Sequence, residues 1–376
     1  MSTLTAGAEV QGSSPAIPQD GAVTARAGAP ALADVAGTLV ESGAAPAIAL
    51  APPPFTCAEP VDPADRSLVS AIVELGKPRI TRLVAITALG GLALSLVGRG
   101  APAAPVPWLH LAVAATACAL GTALCSGGAN GFNQVMESSL DARMHRTRRR
   151  PIPSGRVSPA LASLASSLML AIGAAILWAF CGQASASAAI LTAATYVLLY
   201  TPLKRVTVLN TWVGTIPGAL PPLIGWCAGA YAFARGSESA GWAALAEPGG
   251  WSLVTLMVVW QIPHFLALAW LHREDYARGG MRMLPVIDPT GRATMLQIVI
   301  WSALLVPASL SPWLVMPDRV GLLYAGVAAV TGVGYFVEAA RLTGDRTPAR
   351  ARRVFLASVI HLPVLMLALA VSAWLA

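Results

Sequence analysis

Nine stretches of about 20 mostly apolar residues recur along this 376-residue chain, each long enough to cross a hydrocarbon layer of about 30 Å as a helix. A backbone in lipid must satisfy its own hydrogen bonds, so the pattern predicts an all-α, polytopic membrane protein with about nine transmembrane helices around a central cavity. The expected spans are 80–97, 109–135, 161–180, 184–200, 209–230, 253–271, 296–315, 322–340 and 354–375. With 56% hydrophobic and 11% charged residues, the chain is too apolar for an ordinary soluble domain.

Charge orients the spans. Residues 1–65 hold one base, Arg26, against seven acids, so of the net +7 the remainder of the chain carries +13. Lys and Arg then gather in alternate loops: Lys77, Arg79 and Arg82, six arginines from Arg143 to Arg156, Lys204 and Arg205, four from Arg273 to Arg292, and five from Arg341 to Arg353. The opposite loops hold only Arg99, Arg235 and Arg319, a division of 20 against 3 once Arg26 and Arg66 are set aside. By the positive-inside rule the N-terminus is expected in the cytoplasm and the C-terminus outside.

The Ala-, Pro-, Gly- and Ser-rich residues 1–65 lack a basic start followed by an apolar core, and they read as a disordered cytoplasmic tail preceding a membrane domain over 66–376. Their acidity is unlike a mitochondrial presequence, which favours a bacterial plasma (inner) membrane. Five cysteines show no metal-type spacing and no disulfide is assigned.

Three polar constellations interrupt the apolar runs, all at the expected cytoplasmic side. Asn133, Glu137 and Asp141 recur every four residues and so share one helical stripe, with Arg146, Arg148, Arg149, Arg150 and Arg156 just beyond. Hard oxygen ligands beside guanidinium groups match a Mg²⁺-bridged diphosphate. Eight residues of helix rise about 12 Å, so Asn133 and Asp141 are too far apart for one ion, and several ions or bridging phosphates fit better. Acids at a helix end pairing with arginines, and arginines serving only topology, are the plainer readings. Pro151 and Pro153 are expected to end the helix in a stiff, extended loop.

Tyr200 and Lys204 stand one turn apart if the helix survives Pro202, bringing a hydroxyl and an ammonium toward a leaving diphosphate; an interfacial Tyr with a snorkelling Lys is the alternative. Gln261 and His264 lie inside an apolar span and should face protein or a cavity. His264 is either a hydrogen-bonded structural residue or a ligand or proton-handling group. Asp275 is either a second metal-binding carboxylate or a solvated loop acid.

Taken together, Lys77-Pro78-Arg79, Asn133 to Arg156, Tyr200 to Asn210, Gly218 to Trp226, Trp260 to Val286 and Arg352-Arg353-Val354-Phe355 resemble the protohaem IX farnesyltransferase family of the intramembrane aromatic prenyltransferase superfamily. The resemblance covers about residues 70–376. It departs from the superfamily's aspartate-rich pattern at Gln134, and again where Gln261, His264 and Asp275 replace the spaced aspartates of quinone-directed relatives.

The resemblance implies transfer of a farnesyl group from farnesyl diphosphate to a vinyl group of haem B, with water added, giving haem O and diphosphate. It implies Asn133, Glu137 and Asp141 for Mg²⁺ and diphosphate, with Arg146, Arg149, Tyr200 and Lys204 on the diphosphate. His264 is implied for haem contact or proton handling, and Gln261 and Asp275 as substrate-binding residues. The partners implied are farnesyl diphosphate, haem B and the lipid bilayer, with a haem O oxygenase or oxidase assembly factors as candidates and no nucleic acid. A prenyltransferase for a quinone precursor or another tetrapyrrole is the nearest rival. A small-solute transporter is the rival from another class, disfavoured because the polar groups gather at one side rather than at the midplane of two matching halves.

Overall fold

Five prolines mark where helices begin, since proline at the first helical position forgoes an N–H that would be unpaired anyway. The computed structural model describes residues 67–100 and 106–375, and every regular element among them is helical. In chain order these are α1 (Leu68–Leu75), α2 (Pro78–Gly98), α3 (Trp108–Asp141) and α4 (Pro159–Ala194), the last running through a π-helical turn at Thr195–Tyr200 into α5 (Thr201–Val206). Then come α6 (Asn210–Val213), α7 (Thr215–Ala219), α8 (Pro221–Phe233) and α9 (Glu238–Ala243). The chain continues through α10 (Pro248–Leu271), α11 (Arg273–Arg278) and α12 (Leu284–Ile287), and ends with α13 (Arg292–Val315), α14 (Leu322–Gly344) and α15 (Pro348–Leu375). Pro78, Pro159, Pro221, Pro248 and Pro348 open their helices. The tail expected over 1–65 lies outside the described residues.

Seven of these helical runs are long and apolar enough to cross a membrane, against nine expected segments. The third and fourth expected spans are one 48-residue run, Pro159–Val206, bent at Gly182. There φ is 83°, in the left-handed region, and a Cβ would sit 2.6 Å from the Tyr231 ring, so only glycine suits the bend. Glu238 of α9 accepts the Gln183 N–H at 2.9 Å, satisfying a donor the bend exposes. The fifth expected span is divided into α6, α7 and α8, with Pro217 inside α7 and Pro221 and Pro222 at the start of α8.

Close backbone contact holds α2 on α8. A Cβ at Gly91 would lie 1.9 Å from the Pro222 carbonyl oxygen, and one at Gly225 would lie 1.7 Å from that of Ala88. In lipid, where hydrophobicity does not drive helices together, such small-residue contacts supply the packing. α3 lies along α4, while α10, α13, α14 and α15 pack in succession, with α15 returning against α10. Trp260, Trp270, Tyr324 and Tyr335 fill the core of this second group, joined by Trp226 of α8. Leu164, Leu168 and Ile172 form an exposed apolar stripe on α4, the reverse of a soluble surface and the expected face toward lipid. The protein is a multi-pass membrane protein.

Two departures bear on the site. α3 continues six residues past its expected end, keeping Glu137 and Asp141 helical. At 34 residues it is about 51 Å long, so its end stands beyond a hydrocarbon core of about 30 Å. The loop after it is folded into turns, not extended. The Arg150 N–H meets the Thr147 carbonyl at 2.9 Å, the Ser154 N–H and hydroxyl both donate to the Arg150 carbonyl, and the Val157 N–H donates to that of Pro151. These turn bonds overcome the preference for an extended path beside Pro151 and Pro153.

Candidate active site

The last three turns of α3 carry Asn130, Asn133, Gln134, Glu137 and Asp141, all buried, and each finds partners from other elements. Asn133 is held from two sides: Lys77 Nζ donates to its Oδ1 at 2.7 Å, and its Nδ2 donates to Thr201 Oγ1 at 3.1 Å. Glu137 Oε1 lies 2.9 Å from Lys204 Nζ. Asp141 Oδ2 accepts from Arg150 at 2.6 Å. Three oxygen-bearing side chains on one stripe thus each meet one cation, from the start of α2, from α5 and from the basic loop.

Local strain brings Lys77 there. Its φ of 49° is left-handed, costly for a residue with a Cβ, and the following Pro78 disfavours the ordinary helical alternative. The turn is pinned by α3: Gln134 Nε2 donates to the Leu75 carbonyl at 2.9 Å, and Asn130 Nδ2 to that of Gly76 at 3.4 Å. On the other wall, the π-helical turn lets the helix continue past Pro202, which removes one backbone donor. Tyr200 and Lys204 consequently share a face, with the ammonium 4.4 Å from the Tyr200 ring centre. Tyr196, one turn earlier, lies 3.5 Å from Lys77 Nζ and donates to Asn130 Oδ1 at 3.3 Å.

Asp275 is not a solvated loop acid. It is buried, with its oxygens accepting from the His145 N–H at 3.2 Å, the Arg146 N–H at 3.3 Å and Arg278. Burial alone would raise its pKa, but Arg278 and those two N–H groups outweigh burial and hold the carboxyl below the usual carboxylate range. Through them Asp275 anchors the start of the basic loop. Arg146 lies over the Tyr276 ring, 5.6 Å from its centre. Arg149 is exposed, its carbonyl accepting from Arg156 at 2.7 Å.

Gln261 and His264 sit apart from this group. Gln261 Nε2 donates to the carbonyls of Met257 at 2.9 Å and Thr215 at 3.4 Å, packed so tightly on α7 that a Cβ at Gly218 would lie 1.9 Å from its Oε1. His264 turns to α15, its Nδ1 2.7 Å from Ser358 Oγ. The grouping therefore unites Asn133, Glu137, Asp141, Tyr200 and Lys204, ties Asp275 and Arg146 to their edge, and leaves Gln261 and His264 on α10.

Lys77, Asn130 and Tyr196, none of them expected in the site, and Arg150, expected only as one of the basic cluster, complete the grouping. Asn130 and Tyr196 had a signal, being polar residues three or four positions before Asn133 and Tyr200 on the same helical faces. Lys77 had none beyond a Lys-Pro pair. Among 148–150 nothing local distinguishes Arg150 as the arginine that turns inward.

The donor set fits Mg²⁺. Asp141 Oδ1 is buried without a hydrogen bond and Glu137 Oε1 meets only Lys204, so both keep acceptor capacity beside their cations. No group of three or more His, Cys, Asp or Glu gathers among the described residues. On a stripe too long for one ion, two carboxylates and an amide suit ions that take most of their ligands from phosphate and water, as Mg²⁺ does.

Residues 83–371 match the UbiA prenyltransferase family. The chain is 38% identical over 300 residues to the protoheme IX farnesyltransferase of Salinibacter ruber, a match covering 79% of this chain and 96% of the relative. In fold it resembles a solved structure of digeranylgeranylglyceryl phosphate synthase, with a TM-score of 0.61 at 16% identity over 81% of this chain and 98% of the other. It also resembles a UbiA homolog from Archaeoglobus fulgidus bound to GPP and Mg²⁺, with a TM-score of 0.52 at 14% identity over 78% and 99%.

Proposed function

This chain belongs to the UbiA prenyltransferase family, and from that premise we propose that it transfers a farnesyl group from farnesyl diphosphate to a vinyl group of haem B, with addition of water, giving haem O and diphosphate. The observation that carries the reading is the stripe of Asn133, Glu137 and Asp141, each facing a cation from a different element. An incoming diphosphate can take Lys77, Lys204 and Arg150 as counter-charges and release the α3 oxygens to a metal.

The chemistry follows from charge. As the allylic C–O bond breaks, negative charge collects on the diphosphate, and preorganised cations stabilise it most where water is excluded. Lys204, steadied over the Tyr200 ring, and Lys77, aimed by its strained backbone, hold the inner phosphate. Arg146 and Arg149 take outer phosphate oxygens. Asn133, Glu137 and Asp141 would hold Mg²⁺ ions along the stripe, and these would supply further neutralisation of the leaving group's charge. The vinyl π electrons form the new C–C bond to the farnesyl carbon, the C–O pair departs with diphosphate, and water adds to the resulting porphyrin-side cation and loses a proton. Asp275 positions the basic loop, Gln261 fixes α10 against α7 beside the porphyrin, and His264 contacts haem.

The basic side is the cytoplasmic one in this proposal, and the membrane is the bacterial plasma membrane, which places the diphosphate site where soluble farnesyl diphosphate arrives. The test is to incubate the purified protein with haem B, Mg²⁺ and farnesyl diphosphate and weigh the extracted haems. A product heavier than haem B by one farnesyl group and one hydroxyl is expected. Unmodified haem alongside prenylation of a phenolic acceptor would overturn the proposal.

A further inference from the structure

Beyond that reading, we infer that a second anion site on the basic side holds the phosphate of an anionic phospholipid, with Arg273 and Arg278 of α11 and Arg346 of the α14–α15 connection as its donors. A cavity of about 260 Å³ opens between these segments, with Trp270 and Pro348 also in its walls. Neither the α3 stripe nor Tyr200 and Lys204 line it. Arg278 gives one terminal nitrogen to Asp275, while its Nε is buried without a hydrogen-bond partner. A buried donor without an acceptor is unfavourable, and the two-pronged edge of a guanidinium matches two oxygens of one phosphate.

One tryptophan holds the other two arginines. The Arg273 guanidinium lies over the Trp270 ring, 4.6 Å from its centre, and meets no carboxylate among the described residues. The Trp270 indole N–H donates to the Arg346 carbonyl at 3.2 Å, and Arg346 Nη1 donates to the Thr290 carbonyl. Two acids share the cavity, Asp275 committed to Arg278 and the basic loop and Glu274 exposed, so three guanidiniums leave it net positive. Arginines that served only to orient the chain would need neither the held pair nor a buried Nε.

The surface below the cavity identifies the source of the phosphate. Arg352 and Arg353 are exposed on α15, and on the following turns Leu356, Val359 and Ile360 are exposed as well. Leu356 lies about 12 Å along α15 from Pro348. Basic turns above apolar ones are the face that a phospholipid covers, its headgroup among the cations and its acyl chains on the apolar turns. A soluble phosphate ester would use the arginines and leave the apolar turns without a role. An anion in the cavity clamps α11 to the α14–α15 connection, and through Arg278 and Asp275 it steadies the start of the loop that carries Arg146.

The full-length protein in detergent, without farnesyl diphosphate or haem, is titrated with phosphatidylglycerol, phosphatidylcholine or inorganic phosphate and followed by native mass spectrometry and thermal unfolding. Phosphatidylglycerol is expected to be retained and to raise the melting temperature, and zwitterionic phosphatidylcholine to do neither. Arg273→Gln combined with Arg346→Gln should weaken phosphatidylglycerol binding about 30-fold, from two basic side chains at about fivefold each, while Arg319→Gln on the opposite side should leave it unchanged. Arg278→Lys, which keeps a charge for Asp275 and loses the planar fork, should weaken it about fivefold or more. Equal retention of the two lipids, or wild-type affinity in the double variant, would overturn the inference. So would equal stabilisation by inorganic phosphate, which would make this a site for a free phosphate, or displacement of the lipid by haem B, which would make it a carboxylate site for the substrate. No readout needs turnover, so a wild type that binds phosphatidylglycerol but fails to farnesylate haem would remove the proposed activity and leave the lipid site assigned.

Discussion

Glu137 and Lys204 are each other's counter-charge in the structure, and in the proposed reaction a diphosphate separates them, so removing either should act on the chemistry more than on the fold. Lys204→Met is expected to lower kcat by about 100-fold or more, the usual effect of losing one preorganised charge at a developing anion. Asp141→Asn should instead raise the Mg²⁺ concentration for half-maximal rate about 10-fold or more, read in a metal titration of haem O formation. A normal metal requirement would remove Asp141 from the metal site. Asp275 makes a different prediction because it touches protein, not substrate. Its depressed pKa means that its ties to the loop stabilise above the unfolded value of about 3.9 and are lost as pH falls through the lower folded value. Asp275→Asn should therefore melt below wild type at pH 7, by an amount on the order of 1–3 kcal/mol, and the gap should narrow as pH falls below that unfolded value. The acids and amides of α3 were legible because one helical period aligns them. Their cations were not, since Lys77 and Arg150 reach the stripe through a strained turn and a folded loop that no periodicity encodes.

Helices here are shaped by where glycine and proline interrupt them. Gly225 admits the Ala88 carbonyl at a separation no side chain tolerates, so Gly225→Ala should push α8 from α2 and destabilise by about 1–3 kcal/mol. Detergent-solubilised thermal unfolding would measure this, and an unchanged melting temperature would show that the contact is not needed. Hydropathy located the apolar segments, but two of its boundaries were blind to backbone detail. Gly182 reads as an ordinary gap between spans, although it is a bend inside one helical run whose freed Gln183 N–H is met by Glu238. Residues 209–230 read as one span, although Pro217, Pro221 and Pro222 divide it into short helices. The π-helical turn before Pro202 was likewise invisible, and it is what keeps Tyr200 and Lys204 on one face.

At the scale of the molecule, charge distribution makes the remaining prediction. Ala142→Cys, on the basic side, should react with a membrane-impermeant maleimide only after cells are opened, while Ser239→Cys on the opposite side should react in intact spheroplasts; the reverse pattern would invert the proposed orientation. The four described native cysteines are buried and should stay silent. The sequence by itself determined the all-α membrane class, the segregation of charge and the identity of the α3 stripe, because length, apolarity and helical period are properties of neighbouring residues. Only the tertiary structure decided which cation meets which oxygen, that Asp275 anchors a loop, and that Ser358 faces His264 from 94 residues away. Those pairings join distant segments, and a chain carries no local mark of the residue it will meet once its helices have packed.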